Sequence, residues 1–339
     1  MDFISHYYSL KEWFVQTKFY YFSHARTALK YGLEYLDIKR DDYILLPDYI
    51  CEVLLHPLDQ LKIKYRYYSI KDDLTPNWID LEKAVCNKTK AVVMVHYFGH
   101  PQNIKKFQSF CEDNKLKLIE DNAHGYGGIY KNKMLGTFGD IGISSPRKSL
   151  NIYSGGILWI RNNEFDSIQN LPVYPITAIE YIKMKLKTAA FLKNCPKKYL
   201  KRPVYEDPNA FFENQIPDYR IDQKSKMIIN KANLVSLRDN QQKSYKKWQN
   251  FAIENNLVPV FKNLHSGANP WCFPAYAKDK NEVIKWFNWG WKNNKNVFSW
   301  PSLPKELIQS NSQVLSRWKR LLCFSTLSLS ETQEKIKNL

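Results

Sequence analysis

The sequence predicts an α/β fold built on a mostly parallel sheet with helices on both faces, and three observations support that prediction. Strand-like runs alternate with helix-spaced segments through the first half of the chain. The runs YILLP, KAVVMVHYF and LKLIED are near-continuously apolar rather than alternating, as in strands buried on both faces. The second run closes on Gly99 and Pro101, and the third runs straight into carboxylates, an amide and an imidazole. In open parallel sheets, strand ends of this kind face the crevice where ligands bind.

The elements follow in order. ARTALKYGLEYL (25–36) has helical spacing and comes after an aromatic stretch, and YILLP (43–47) reads as a short buried strand. KAVVMVHYF (90–98) is a stronger strand, NIKKFQSFCEDN (103–114) a helix, and LKLIED (116–121) the next strand. GDIGIS (139–144) and GGILWI (155–160) are two more strands, flanking the loop SPRKSLNIYS. From about Leu171 the pattern loosens into a basic stretch and the loop-like RPVYEDPNAFFENQIPDYR. A long helix is expected over 224–250. PWCFPAYA, an aromatic helix at 282–291 and FSWPSLP then read as a small mixed α/β unit. The expected division is a large domain over 1–250, with a basic helical insertion at about 173–205, and a small C-terminal domain over 251–339. No internal repeat is visible.

Composition narrows the class. At 339 residues with 44% apolar content, the chain can bury a large core. No apolar run approaches the roughly 20 residues that span a bilayer. The opening MDFISHYYSLKEWF lacks the features of a secretory signal. Six cysteines are scattered without a CxxC pair, which argues against a zinc site or disulfide framework and for a cytoplasmic setting.

The formal charge of +17 calls for a partner. Much of it is local, since residues 183–202 hold eight basic residues and no acid, with apolar residues interleaved. One reading is a basic amphipathic helix in peripheral contact with a membrane. The preferred one is a solvated helical insertion in a lysine-rich chain. No nucleic-acid-binding signature accompanies the charge, so nucleic acid is not an expected partner.

The chemistry concentrates at strand ends. LIEDNAHGYGG (118–128) puts Asp121 and His124 beyond one strand, Lys148 lies beyond another, and His96 closes a third. Taken singly, Asp121 caps a turn, Lys148 is a surface lysine and the histidines are satisfied core residues. Taken together, a lysine, an aspartate and a histidine converging by topology suit pyridoxal 5'-phosphate. That cofactor needs a lysine for its Schiff base, an acid to keep its ring nitrogen protonated, and a phosphate cradle such as a helix N-terminus.

At these residues the chain resembles the sugar aminotransferases of the DegT/DnrJ/EryC1/StrS family, which are fold-type I pyridoxal phosphate enzymes. The resemblance is dense from about Tyr21 to Arg161 and collinear but weaker afterwards. FSHARTAL resembles the family's turn opening a phosphate-binding helix, and AVVMVHYFGHP its strand ending in VHxxG. LIEDNAHGYGG followed by LGTFGDIG resembles its most specific block, and Lys148 stands seven residues before Gly155 and Gly156, as the family's lysine does.

The resemblance implies Lys148 as the Schiff-base lysine that shuttles protons, Asp121 on the pyridinium nitrogen and His124 on the ring oxygen. It implies backbone N–H groups of Ala25 and Arg26 on the phosphate, a hydroxyl from Ser144 or Ser145, and His96 behind the contact layer. There are departures. The loop before the lysine is two residues shorter than usual, Ala25 replaces a common glycine, and Cys51 stands where an aromatic often stacks, with Tyr49 as the substitute. Asp218 replaces an asparagine that the family presents to the partner subunit's phosphate, while Tyr219 and Arg220 keep the pattern.

The implied function is transfer of an amino group from glutamate or glutamine to a nucleotide-linked keto-sugar, for surface polysaccharide or glycoconjugate synthesis, by a cytoplasmic homodimer. No metal ligand is expected. The rivals are a sugar dehydratase or eliminase of the same fold and a degenerate cofactor-binding protein with a regulatory or scaffolding role. The dehydratases of this type carry histidine in place of the lysine, so Lys148 speaks for transfer.

Overall fold

The structure is a computed structural model that describes residues 17–161, 170–188, 217–293 and 295–327. Its centre is a seven-stranded sheet of β1 (Thr17–Phe22), β2 (Tyr43–Pro47), β3 (Lys64–Tyr68), β4 (Thr89–Val95), β5 (Lys117–Asn122), β8 (Ile141–Ser144) and β9 (Gly156–Arg161). Between β5 and β8 lies a short hairpin, β6 (Ile129–Tyr130) with β7 (Lys133–Met134). The strand order is β1-β9-β8-β5-β4-β2-β3. Only β9 runs against the others, pairing antiparallel with both β1 and β8. The sheet is therefore mostly parallel, as expected, and the carboxyl ends of its six co-directional strands share one edge.

The buried runs explain the sheet. β4 buries every side chain except that of Lys90, and β8 buries all four. Strand β4 stops at Val95, three residues short of the expected end. There the His96 N–H turns to the Asp121 carbonyl, and Tyr97–Gly99 form a single 3₁₀ turn with Phe98 at φ 54°.

Helix α1 (Ala25–Tyr35) buries Thr27, Ala28, Leu29, Gly32 and Leu33, a three-and-four spacing that makes one face. Burial of Leu29 and Leu33 is worth about 2 kcal/mol each. Gly32 lets the helix lie against the sheet, because a Cβ there would come within 2.6 Å of Ile141 and 2.9 Å of Leu158. Helices α2 (Leu55–Leu61), α3 (Trp78–Ala84) and α4 (Ile104–Asn114) complete the crossovers. The Asn103 side chain caps α4 by accepting from the Lys106 N–H.

Helix α5 (Ala178–Thr188) exposes Ile179, Tyr181 and Ile182. Residues 189–205 of the anticipated insertion lie outside the described residues. The single helix expected over 224–250 is instead two, Gln223–Lys231 and Leu234–Glu254. Ala232 is extended and the Asn233 side chain accepts from the Ser236 N–H, so an N-cap restarts the helix where no glycine or proline marked a break.

A second, antiparallel sheet, in the order β10-β11-β13-β12, comprises β10 (Val258–Pro259), β11 (Cys272–Tyr276), β12 (Val297–Phe298) and β13 (Leu321–Ser325). Its core joins Phe273, Val297 and Phe324 to Tyr245 of the long helix and Trp286 of helix Lys280–Lys292. No described helix is long and apolar enough to cross a membrane.

Candidate functional site

The carboxyl edge of the large sheet gathers the residues singled out from sequence. Asp121 is the penultimate residue of β5, His124 lies two residues past the strand's end, and Lys148 ends a 3₁₀ turn (Pro146–Lys148) after β8. Asp121 is buried, and its Oδ1 accepts the Ala123 N–H at 2.8 Å. Burial raises its pKa, against the pull of that hydrogen bond and of the nearby Lys148 and His96 charges. Its Oδ2 accepts no hydrogen bond among the described residues.

His124 is held neutral. Burial pushes its pKa well down, and the neighbouring Lys148 adds to this. Its Nδ1 accepts the Phe98 N–H at 3.1 Å, so the ring proton resides on Nε2. Its ring is enclosed by Phe98, Trp271 and Trp300, with centroids at 5.6, 4.8 and 4.6 Å. The Lys148 ammonium lies 4.7 Å over the Trp271 indole. Sequence reading left Trp271 and Trp300 among the aromatics of the small unit. Trp271 immediately precedes β11 and Trp300 follows β12, and no local pattern connects them to β5.

Strand alternation separates the remaining candidates. His96 is fully buried, with Nε2 at 2.7 Å from Glu120 Oε1 and Nδ1 accepting the Gln102 N–H. Glu120 also accepts the N–H groups of Gly136, Phe138 and Gly139. This carboxylate therefore fixes the loop between β7 and β8, and His96 serves it from behind the site. Ser144 lies on the Asn122 face, where its hydroxyl accepts from Trp159 Nε1 at 3.0 Å. Asp121 points to the other face. Ser144 is thus not brought to Asp121, and Ser145, the next residue, is the hydroxyl beyond the strand end.

Ala25 and Arg26 open α1, whose first N–H groups have no partner within the helix. The antiparallel β9 brings Gly156 to the same place. A Cβ on Gly156 would lie 2.2 Å from His24 C and O and 2.5 Å from Ala25 N, so only glycine lets β9 support this turn. His24 has its pKa lowered to about 2, by burial first and then by the Arg147 and Arg26 guanidiniums. A helix start flanked by two guanidiniums is an anion site in the making.

A network that sequence reading missed holds the Lys148 loop. Ser154 Oγ donates to Asp222 Oδ2 at 2.6 Å and accepts from the Asp222 N–H. The Ser225 hydroxyl accepts from the N–H groups of Tyr153 and Ser154. Asp222 also caps helix Gln223–Lys231, so one carboxylate fixes both segments.

Tyr49 is buried beyond Trp300. Its hydroxyl donates to the Trp300 carbonyl at 2.7 Å, and its ring lies 5.8 Å from that indole, so it reaches His124 through Trp300. Asp218 forms a 2.6 Å ion pair with Lys30 of α1, which neutralises the carboxylate near the helix start.

These residues fit pyridoxal phosphate. A buried carboxylate with one oxygen unused suits a protonated ring nitrogen, and a neutral imidazole with its proton on Nε2 suits a ring oxygen. The glycine-supported helix start beside two arginines suits a phosphate, and the Lys148 amine acts on both Asp121 and His124.

Residues 12–172 match the model of the DegT/DnrJ/EryC1/StrS aminotransferase family. GDP-perosamine synthase of Escherichia coli O157:H7 is 31% identical over 144 residues, 40% of this chain and 38% of that protein. GDP-4-keto-6-deoxy-D-mannose 3-dehydratase of Escherichia coli O55:H7 is 26% identical over 191 residues, 54% and 45% of the two chains. The matched segments thus span less than half the length of these curated relatives. The fold extends further. A DegT/DnrJ/EryC1/StrS aminotransferase from Brucella abortus superposes with a TM-score of 0.64 at 16% identity, over 97% of this chain and 86% of that one.

Proposed function

We propose, on the premise that residues 12–172 carry the DegT/DnrJ/EryC1/StrS aminotransferase sequence, that this protein is a pyridoxal phosphate-dependent sugar aminotransferase. Its acceptor is a nucleotide-linked keto-sugar, its donor glutamate or glutamine, its assembly a homodimer and its setting the cytoplasm. The observation that carries the reading is the meeting of Lys148, Asp121 and His124 at the sheet edge, where the Lys148 charge acts on both partners.

The bound cofactor would supply an electron sink conjugated to the amine being exchanged. The chain's own residues supply the rest. Asp121 Oδ2 holds a proton on the cofactor ring nitrogen, in a site dry enough to make that charge pair strong. His124 Nε2 donates to the ring oxygen, with its tautomer fixed by the Phe98 N–H. Lys148 Nζ binds the cofactor and carries protons to and from the reacting carbon. The N–H groups of Ala25 and Arg26, with the Ser145 hydroxyl, take the phosphate. His96 acts from behind the site through Glu120 and the backbone of Asp121, and Trp271 excludes water from the Lys148 side with Trp300 beside His124. The division near residue 250 assigns those two indoles to the small domain, closing the site from 251–339.

The dehydratase among the relatives makes elimination the second reading, and Lys148 favours transfer. The test is to feed ¹⁵N-glutamate and a panel of nucleotide keto-sugars to the cofactor-loaded protein and weigh the products. An amino sugar carrying ¹⁵N supports transfer. A deoxy sugar without nitrogen replaces it with elimination, and no turnover with any donor leaves only the fold.

A further inference from the structure

Away from Lys148, the carboxyl edge of the same sheet carries a second cluster. Strand β3 is three strands from β5, roughly 14 Å along the sheet. Beyond its end, residues 69–72 face helix Ser312–Arg320 across a cavity of about 560 Å³, lined among others by Lys71, Asp72, Asn77, Ser316, Arg317 and Arg320. That volume is ordinary for a small-molecule site.

Arg317 is the buried member, with its side chain only 5% exposed. Its Nη2 donates to the Ile70 carbonyl. Nε and Nη1 make no well-aligned hydrogen bond among the described residues, while the guanidinium lies 5.3 Å over the Tyr49 ring and beside the Tyr276 hydroxyl. The nearest carboxylates are poorly placed, since Asp72 is 3.5 Å from Nε and Asp48 is 4.0 Å from Nη1. Asp48 is already engaged by the Ile70 N–H and the Asn311 amide. Asp72 is 69% exposed and stands 3.9 Å from Arg320, so it bridges the two guanidiniums without a hydrogen bond to either. Its carboxylate loosely marks where an anion belongs. Three cations facing one loose carboxylate favour a multiply charged ligand with several acceptor oxygens.

We propose that this cavity binds a phosphate-bearing small molecule, anchored by Arg317 and flanked by Arg320 and Lys71, at a site separate from Lys148. The phosphate is either that of a nucleoside diphosphate or that of a free phosphorylated ligand. The inference does not depend on the reaction assigned above.

The test is calorimetric titration of the full chain, saturated with pyridoxal phosphate so that the helix start is occupied, with inorganic pyrophosphate and with GDP in low salt. One saturable site is expected for pyrophosphate. Arg320→Gln should weaken it about tenfold, the loss of one charge-assisted hydrogen bond. Asp72→Asn should tighten it by a similar factor, about tenfold, by removing the competing carboxylate. A merely structural Asp72 would lower stability and leave affinity unchanged or weaker. GDP binding that is tighter than that of pyrophosphate and is weakened by Arg320→Gln identifies a nucleotide as the source, and equal affinity identifies a free phosphate ligand. No saturable binding, or binding that both substitutions leave unchanged, overturns the proposal.

Discussion

The Lys148 ammonium rests 4.7 Å over the indole of Trp271, a residue 123 positions away in sequence whose own N–H is bonded to the Phe98 carbonyl. The backbone of Trp271 is fixed again at its carbonyl, which accepts from Thr326. The indole therefore covers the amine from a rigid mount. Such a contact is worth about 1 kcal/mol, so Trp271→Leu should speed reductive methylation of Lys148 in the cofactor-free chain about fivefold. Trp271→Phe should stay near the wild-type rate. Mass spectrometry of the Lys148 peptide reads both, and equal rates in all three proteins would rule the contact out.

Lys148 is one of many lysines, and the proposed cofactor would select among them. Borohydride reduction of the loaded protein, followed by peptide mapping, should place the pyridoxyl mass on Lys148. A mass found on another lysine would remove Lys148 from the site, whatever the protein catalyses.

Asp121→Asn separates catalysis from folding. The amide oxygen can still accept the Ala123 N–H, but the charge opposite the cofactor ring is gone. Turnover should fall by roughly 10²-fold or more, the scale for removing one preorganised charge contact. Because burial already disfavours the Asp121 carboxylate, the cofactor-free variant should melt no lower than wild type. Retained activity would mean that the end of β5 does not face the cofactor.

The sheet and the residues at its strand ends were legible because their signals are local. Continuous apolar runs mark β2, β4 and β5, and the polar residues that follow them fall at the carboxyl edge by the rules of parallel sheets. Three kinds of feature were not legible. Ser144 and Ser145 differ by one residue, and only the pairing of β8 with β9 decides which faces inward. The break at Asn233 rests on a side-chain cap that competes evenly with helix continuation in the sequence. Trp271, Trp300, Asp222 and Arg317 act through contacts that depend on how distant segments dock, and nothing in their neighbours' spacing encodes that.

Gly156 carries a conformational prediction of its own. A methyl group there would meet the His24–Ala25 backbone at 2.2 to 2.5 Å, and backbone cannot step aside cheaply. Gly156→Ala should cost about 3 kcal/mol or more and weaken pyridoxal phosphate binding by pushing the start of α1 off β9. Gly155→Ala is the control. Its Cβ would meet the flexible Ile152 Cδ1 at 2.7 Å, so a loss of only about 1 kcal/mol is expected, with cofactor affinity kept. Thermal melts and a cofactor titration distinguish the two. Similar behaviour in both variants would remove the special role given to Gly156.

His24 ties the phosphate cradle to acid stability. Its imidazole is buried beside Arg147 and Arg26, which lowers its pKa from 6.5 to about 2. The unfolded chain therefore binds a proton that the folded chain refuses across that window. The stabilisation is fully present above pH 6.5 and is lost as pH falls from 6.5 towards 2, by about 1.4 kcal/mol per unit. Between pH 7.5 and 5 this one residue should remove about 2 kcal/mol, and His100, with its pKa lowered to about 3 by burial, acts in the same direction. His24→Asn puts a capping side chain where His24 makes no cap hydrogen bond and carries no titrating group, so its loss over the same interval should be smaller by about 2 kcal/mol. Denaturant melts of the cofactor-free proteins at the two pH values measure this difference directly. An acid loss that the substitution leaves unaltered would show that His24 is not the group responsible.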